Sequence, residues 1–177
     1  LISMPENSML NYLFAKSLLM KVINFRSNDR KRDIIDLEDA LNKSILLNPK
    51  NPLPYALLGL IKEGHTLANF DTDLGKQRSN ATKYVEKAIE LGPENMEALY
   101  YSGKFYRIIG NFSKAIKLFE KAIEIAPFGP EEIRINLVST HLANFDFDKA
   151  SQIATSILNQ GDKRSVFIGS MFLIYIK

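Results

Sequence analysis

Residues 96–127 read MEALYYSGKFYRIIGNFSKAIKLFEKAIEIAP. Leu99, Gly103 and Tyr106 are spaced by four and three residues, which puts them on one face of an α-helix. Ala115, Phe119 and Ala122 repeat that spacing. Gly110-Asn111 between the two runs stops one helix and starts the next. The small residues Gly103, Ala115 and Ala122 let two helices approach to the usual interaxial distance of about 8–10 Å. The stretch is predicted to be a helical hairpin, and a hairpin this short cannot bury its apolar face without stacked neighbours.

Neighbours of the same pattern lie on both sides. Upstream, a helix over about 6–25, capped by Asn7 or Ser8, precedes a helix over 34–48 that ends at Pro49. Leu37, Leu41 and Ser44 stand there as Ala115, Phe119 and Ala122 do, and Leu41 precedes Pro49 by the spacing that separates Phe119 from Pro127. The next copy carries Tyr55, Leu58 and Gly59, then Ala81, Val85, Ala88 and Pro93. Downstream, Leu137-Val138 and His141 open a copy whose second helix holds Phe147, Ala150 and Ala154. Gly59 lies 22 positions before Ala81, whereas Gly103 lies 12 before Ala115, so ten extra residues are predicted as a loop within 65–79. The first copy shows the same excess if Ala15 takes the glycine slot, with the polar run RSNDRKRD at 26–33 as its loop.

The best copy resembles the tetratricopeptide repeat (TPR), whose pattern is W-x₂-L-G-x₂-Y, then A-x₃-F, then P. Leu99 takes the Trp slot, Ser102-Gly103 the Leu-Gly slot, and Tyr106, Ala115, Phe119 and Pro127 the others. The resemblance implies an all-α fold, a right-handed α-solenoid of about four TPR helix pairs at 6–49, 50–93, 94–127 and 129–161, with a final helix at 163–177. One TPR domain over 1–177 is expected, and because the chain opens on Leu1 rather than Met it is read as a domain cut from a longer protein. Asn11-Tyr12-Leu13-Phe14-Ala15-Lys16 and Pro54-Tyr55-Ala56-Leu57-Leu58-Gly59 further resemble the start of the TPR region in certain bacterial transcription activators and nucleotide cyclases.

Composition narrows the chemistry. At 46% apolar and 24% charged residues the chain can bury a sizeable core. It has no cysteine, hence no disulfide, thiolate nucleophile or Cys zinc site. A net charge of +3 is too small to point to nucleic acid. No apolar run reaches the ~20 residues of a membrane span. His65 and His141 lie in no ligand spacing. The run from Asp71 to Gly75 departs from a calcium loop at both its glycine and its twelfth place, Thr82. No catalytic constellation and no cofactor or metal site is expected. Asn42, Asn80 and Asn111 begin glycosylation triplets on or beside helices.

In the TPR family the first helices line a concave groove. With Leu99, Gly103 and Tyr106 facing the partner helix, Tyr100, Tyr101, Lys104, Arg107 and Ile108 face that groove. Leu53, Ala56, Leu57, Leu60 and Glu63 correspond to them upstream, and Ile135, Asn136 and Ser139 downstream. TPR domains that clamp a peptide's terminal carboxylates use Lys, Asn and Arg at successive positions, where Ala56, Leu60 and Tyr101 stand here. An apolar peptide or a packed helix fits better. The expected groove is Leu57, Leu60, Tyr100, Tyr101, Lys104, Arg107, Ile108 and Asn136, and the expected function is a non-enzymatic protein-interaction scaffold. A regulatory sensor region of an activator or cyclase and a secretion-type chaperone are the alternatives. Arg26, Arg30, Lys31 and Arg32, with Lys76 and Arg78, mark a second, basic rim. The apolar residues Val166, Phe167, Phe172, Leu173 and Ile176 suggest that the last helix is covered, by a second copy of the domain in a homodimer or by a continuation of the chain.

Overall fold

The computed structural model describes residues 6–24, 26–68, 74–159, 170 and 171, the side chains of 64–68 and 74–77 excepted. Among them are eight helices and no strand. In order these are α1 (Ser8–Ile23), α2 (Arg30–Leu47), α3 (Pro52–Ala68), α4 (Leu74–Leu91), α5 (Met96–Ile108), α6 (Phe112–Ile125), α7 (Glu132–Ala143) and α8 (Phe147–Leu158). The chain divides into two compact units, Leu1–Pro93 with α1 to α4 and Glu94–Lys177 with α5 to α8. The expected ninth helix, and the dimer contact through it, lie outside the described residues apart from Ser170 and Met171.

Short polar side chains set the helix starts. Asn7 Oδ1 accepts from the Leu10 amide at 3.0 Å and Asp29 Oδ1 from the Arg32 amide at 3.0 Å. Asn95 Oδ1 accepts from Ala98 at 2.9 Å and Asn111 Oδ1 from Lys114 at 3.2 Å. Each such cap is worth about 1 kcal/mol, because it satisfies an amide that the helix leaves without a partner. Asp29 also corrects the sequence reading of α2. The helix starts at Arg30, not at 34, so Arg30, Lys31 and Arg32 sit in its first turn rather than in a loop. Asp33, also expected in the loop, is nearly buried and takes Lys21 Nζ of α1 at 2.8 Å.

In the first unit, α2 packs on α1 and α3, and α4 packs on α3. Tyr12, Ala15, Leu37, Leu41, Leu57, Leu58 and Val85 form its core. A Cβ on Gly59 would stand 2.5 Å from Val85 Cγ2 and 2.9 Å from the Ala81 carbonyl oxygen, so glycine is what lets α3 and α4 touch. Of the loop expected at 65–79, residues 65–68 and 74–79 are helical, and 69–73 lie outside the described residues. The helices of this pair have 17 and 18 residues against 13 and 14 in α5 and α6. One reason is visible where α3 and α4 continue together. Glu63, with no exposed surface, takes Nε of Arg78 at 3.0 Å and Nη2 at 2.7 Å on the same oxygen.

In the second unit, α6 packs on α5 and α7, and α8 packs on α7. Gly103 meets Phe119 as closely as Gly59 meets Val85: a Cβ there would lie 2.6 Å from Phe119 Cε1. Ala115, Phe119 and Ala122 have no exposed surface, which places α6 as the period of four and three predicts. In the last pair Val138, Ala150, Ala154 and Ile157 form one buried cluster.

Candidate functional site

Helix α5 divides its residues sharply. Ala98, Leu99, Ser102, Gly103, Phe105 and Tyr106 are buried, and Tyr106 Oη bonds Lys114 Nζ of α6 at 2.6 Å. On the opposite flank Tyr100, Lys104 and Arg107 are half-buried and Ile108 is exposed. These four are spaced by four, three and one residues, so they follow one another along a single stripe.

Tyr100 anchors the stripe. Its ring centre lies 6.2 Å from that of Phe119 and 5.3 Å from that of Tyr101. Its hydroxyl faces Asn136 Nδ2 of α7 at 3.5 Å, while that nitrogen donates to the Glu132 carbonyl at 2.7 Å. Burial, and then the nearby Glu132 carboxylate, push the Tyr100 phenol above its ordinary pKa. Lys104 Nζ sits 5.4 Å above the Tyr100 ring. Burial first and repulsion from Arg107 second push the Lys104 ammonium below its ordinary pKa. Neither cation makes an ion pair among the described residues, and Arg107 Nε is buried without an acceptor.

The structure thus brings Tyr100, Lys104, Arg107, Ile108 and Asn136 together across α5 and α7. Three other expected groove residues are corrected. Tyr101 is only 7% exposed, although it lies two turns before the exposed Ile108 on nearly the same line of α5. Leu57 has no exposed surface and Leu60 only 8%, since α3 is buried at nearly every position from Leu53 to Ile61. These three are packing residues. Glu132 is a site residue that the sequence reading missed. It lies one turn before Asn136 on the same face of α7, a spacing visible in the sequence. The basic rim is also weaker than expected. Arg78 is engaged by Glu63 and Arg32 by Asp36 at 3.0 Å, which leaves Arg26, Arg30 and Lys31 exposed. The side chains of Lys76 and His65 lie outside the described residues. His141, expected in a core slot, is 1% exposed, with Nδ1 3.2 Å from Asp146 Oδ2.

The family model of the tetratricopeptide repeat matches residues 96–128, which hold α5 and α6. A thermophilic TPR protein of Thermus thermophilus has the same fold in its crystal structure. The TM-score is 0.76 at 17% identity, over 94% of this chain and 81% of that one. Residues 96–128 thus carry a tetratricopeptide repeat, and the fold is that of a TPR protein. The described residues are all-α, and the fold class is the TPR solenoid that the resemblance implied. The chain is also 35% identical over 89 residues to human interferon-induced protein with tetratricopeptide repeats 2, across 50% of its own length and 18% of that protein's. It therefore matches under a fifth of that relative. The likeness to the crystal structure of yeast Tom70, with a TM-score of 0.45 at 18% identity over 96% of this chain and 44% of that one, is too loose to bear on the fold.

Proposed function

We propose that this TPR chain is a non-enzymatic protein-interaction module that binds a peptide or helix along the outer stripe of α5 and the facing residues of α7. The fold supports protein binding in general, and one observation supports this surface in particular. Helix α5 buries one face completely yet keeps a large aromatic ring, two cations and an isoleucine half-open on the other. A half-open tyrosine offers a wide rigid surface with a polar tip at small entropic cost. No observation favours the sensor or chaperone alternatives over this reading.

The test is a peptide-display selection on the immobilised chain, followed by titration of the selected peptides. Tyr100→Ala is expected to weaken them by about 2 kcal/mol, the scale of an interface hot spot. Its ring touches Phe119, so a melting curve accompanies the titration to separate binding from stability. Undiminished binding by a folded Tyr100→Ala chain would move the site elsewhere, with the exposed Arg26, Arg30 and Lys31 next in line.

A further inference from the structure

We infer that Lys104 and Arg107 receive one acidic side chain in the middle of the bound segment, an inference that rests on the binding surface proposed above. The two cations stand a helical turn apart, half-buried, and neither is paired with an acid among the described residues. Two neighbouring cations kept partly out of water repel each other and lose hydration. An arriving carboxylate relieves both, and the low local dielectric strengthens the new contact. A single carboxylate offers two acceptor oxygens, one for each of the two cations.

The position of the acid within the ligand follows from the stripe. Tyr100 and Asn136 lie one turn before Lys104, and the exposed Ile108 lies beyond it. A segment lying along α5 therefore meets contact surface on both sides of the cations. The acid belongs inside the segment, flanked by apolar residues, and not at its terminus. The Lys104 and Arg107 stems supply apolar surface beside the charges.

The display selection decides this when it is run on the wild-type chain and on Lys104→Glu with Arg107→Glu. Wild-type chains are expected to enrich peptides with Asp or Glu at one fixed internal place, and the charge-reversed chain to lose them. One enriched peptide, acetylated and amidated at its ends, is then titrated beside its Glu→Gln version. That change, or Lys104→Gln with Arg107→Gln in the protein, is expected to weaken binding about tenfold or more, and the two together no more than either alone. The glutamine variants keep the side-chain length, so the test stands even if charge reversal disturbs folding. Additive losses, or enrichment with no acidic position, would overturn the subsite. So would at least tenfold tighter binding of a free C-terminal carboxylate or of a phosphoserine in place of the Glu. Peptides lost with Tyr100→Ala but indifferent to Lys104 and Arg107 would sink the subsite alone. Failure to enrich any peptide would sink the binding surface and the subsite with it.

Discussion

The pairs α5–α6 and α7–α8 build the same contact with the sizes reversed. In the first, Gly103 makes room for the Phe119 ring. In the second, Val138 stands in the glycine's place and Ala154 in the phenylalanine's, and both are fully buried. The bulk has moved from the second helix to the first. What the hairpin requires is a filled gap between helices, not a particular residue in either slot. The turns differ in the same spirit. After α5, Gly110 has φ 80°, the left-handed region that glycine enters without strain. After α7, Phe145 has φ 60° at the matching place. The hydrogen bonds are nearly the same in both: Asn111 N–H to Tyr106 O at 2.8 Å, and Asp146 N–H to His141 O at 2.9 Å. This closure caps the end of each first helix and fixes the backbone whatever residue sits there.

Exchanging the sizes in the first pair is the strongest way to break that comparison. Phe119→Ala alone is expected to cost about 3–5 kcal/mol, as a large buried ring is removed. Gly103→Val alone forces a side chain into that ring and is expected to cost about 3 kcal/mol. The double variant copies Val138 and Ala154. It should lose less than the two single losses together, with a coupling of about 1–3 kcal/mol measured by urea denaturation. Strict additivity would show that the two pairs do not share one contact.

The turns give a smaller effect of opposite sign. Phe145→Gly is expected to stabilise the chain by about 1 kcal/mol, since it removes the left-handed strain and the Phe145 ring is mostly exposed. Gly110→Ala, with nothing within 4 Å of the added Cβ, is expected to cost about 1 kcal/mol by backbone strain alone. Thermal melts of the two variants should move in opposite directions. Equal shifts would mean that φ does not govern these turns.

The smallest effect separates Lys104 on α5 from Ser139, its uncharged counterpart on α7. The folded-state pKa of Lys104 lies below the 10.5 of the unfolded chain. Between those values the unfolded chain holds a proton that the folded chain has shed, so Lys104 makes stability rise with pH across that window. Tyr100, shifted upward from 10.0, works in the opposite direction above that pH. Lys104→Gln should raise the melting temperature at neutral pH and remove the rise. An unchanged profile would mean that the ammonium is as well solvated as in the unfolded chain.

Much of the fold was legible because it depends on spacing. Leu99, Gly103 and Tyr106, and then Ala115, Phe119 and Ala122, follow the helical period, and Gly110-Asn111 marks the turn. Caps at Asn7, Asn95 and Asn111 are equally local, since each depends on a side chain reaching an amide three residues on. The helical period also separates Tyr100, Lys104, Arg107, Ile108 and Asn136 from the buried faces of α5 and α7, and the structure leaves all five partly exposed. It failed where the outcome depends on which neighbours cover a residue. Leu60 takes the slot of Lys104 and Leu57 that of Tyr101, but α3 is buried at nearly every position from Leu53 to Ile61. Tyr101 lies one step from Tyr100, and only packing decides which ring turns inward. The extra residues of the second pair read as a loop because Gly59 lies 22 positions before Ala81 whereas Gly103 lies 12 before Ala115, a spacing that does not say whether the insert is coil or longer helices. Glu63 and Arg78 meet only after the chain has folded back on itself, and their pairing lets both helices continue. Periodicity along the chain thus determined the helices and the contact faces within each pair. Burial, and with it the choice between core and site, required the contacts between helices that only the tertiary structure supplies.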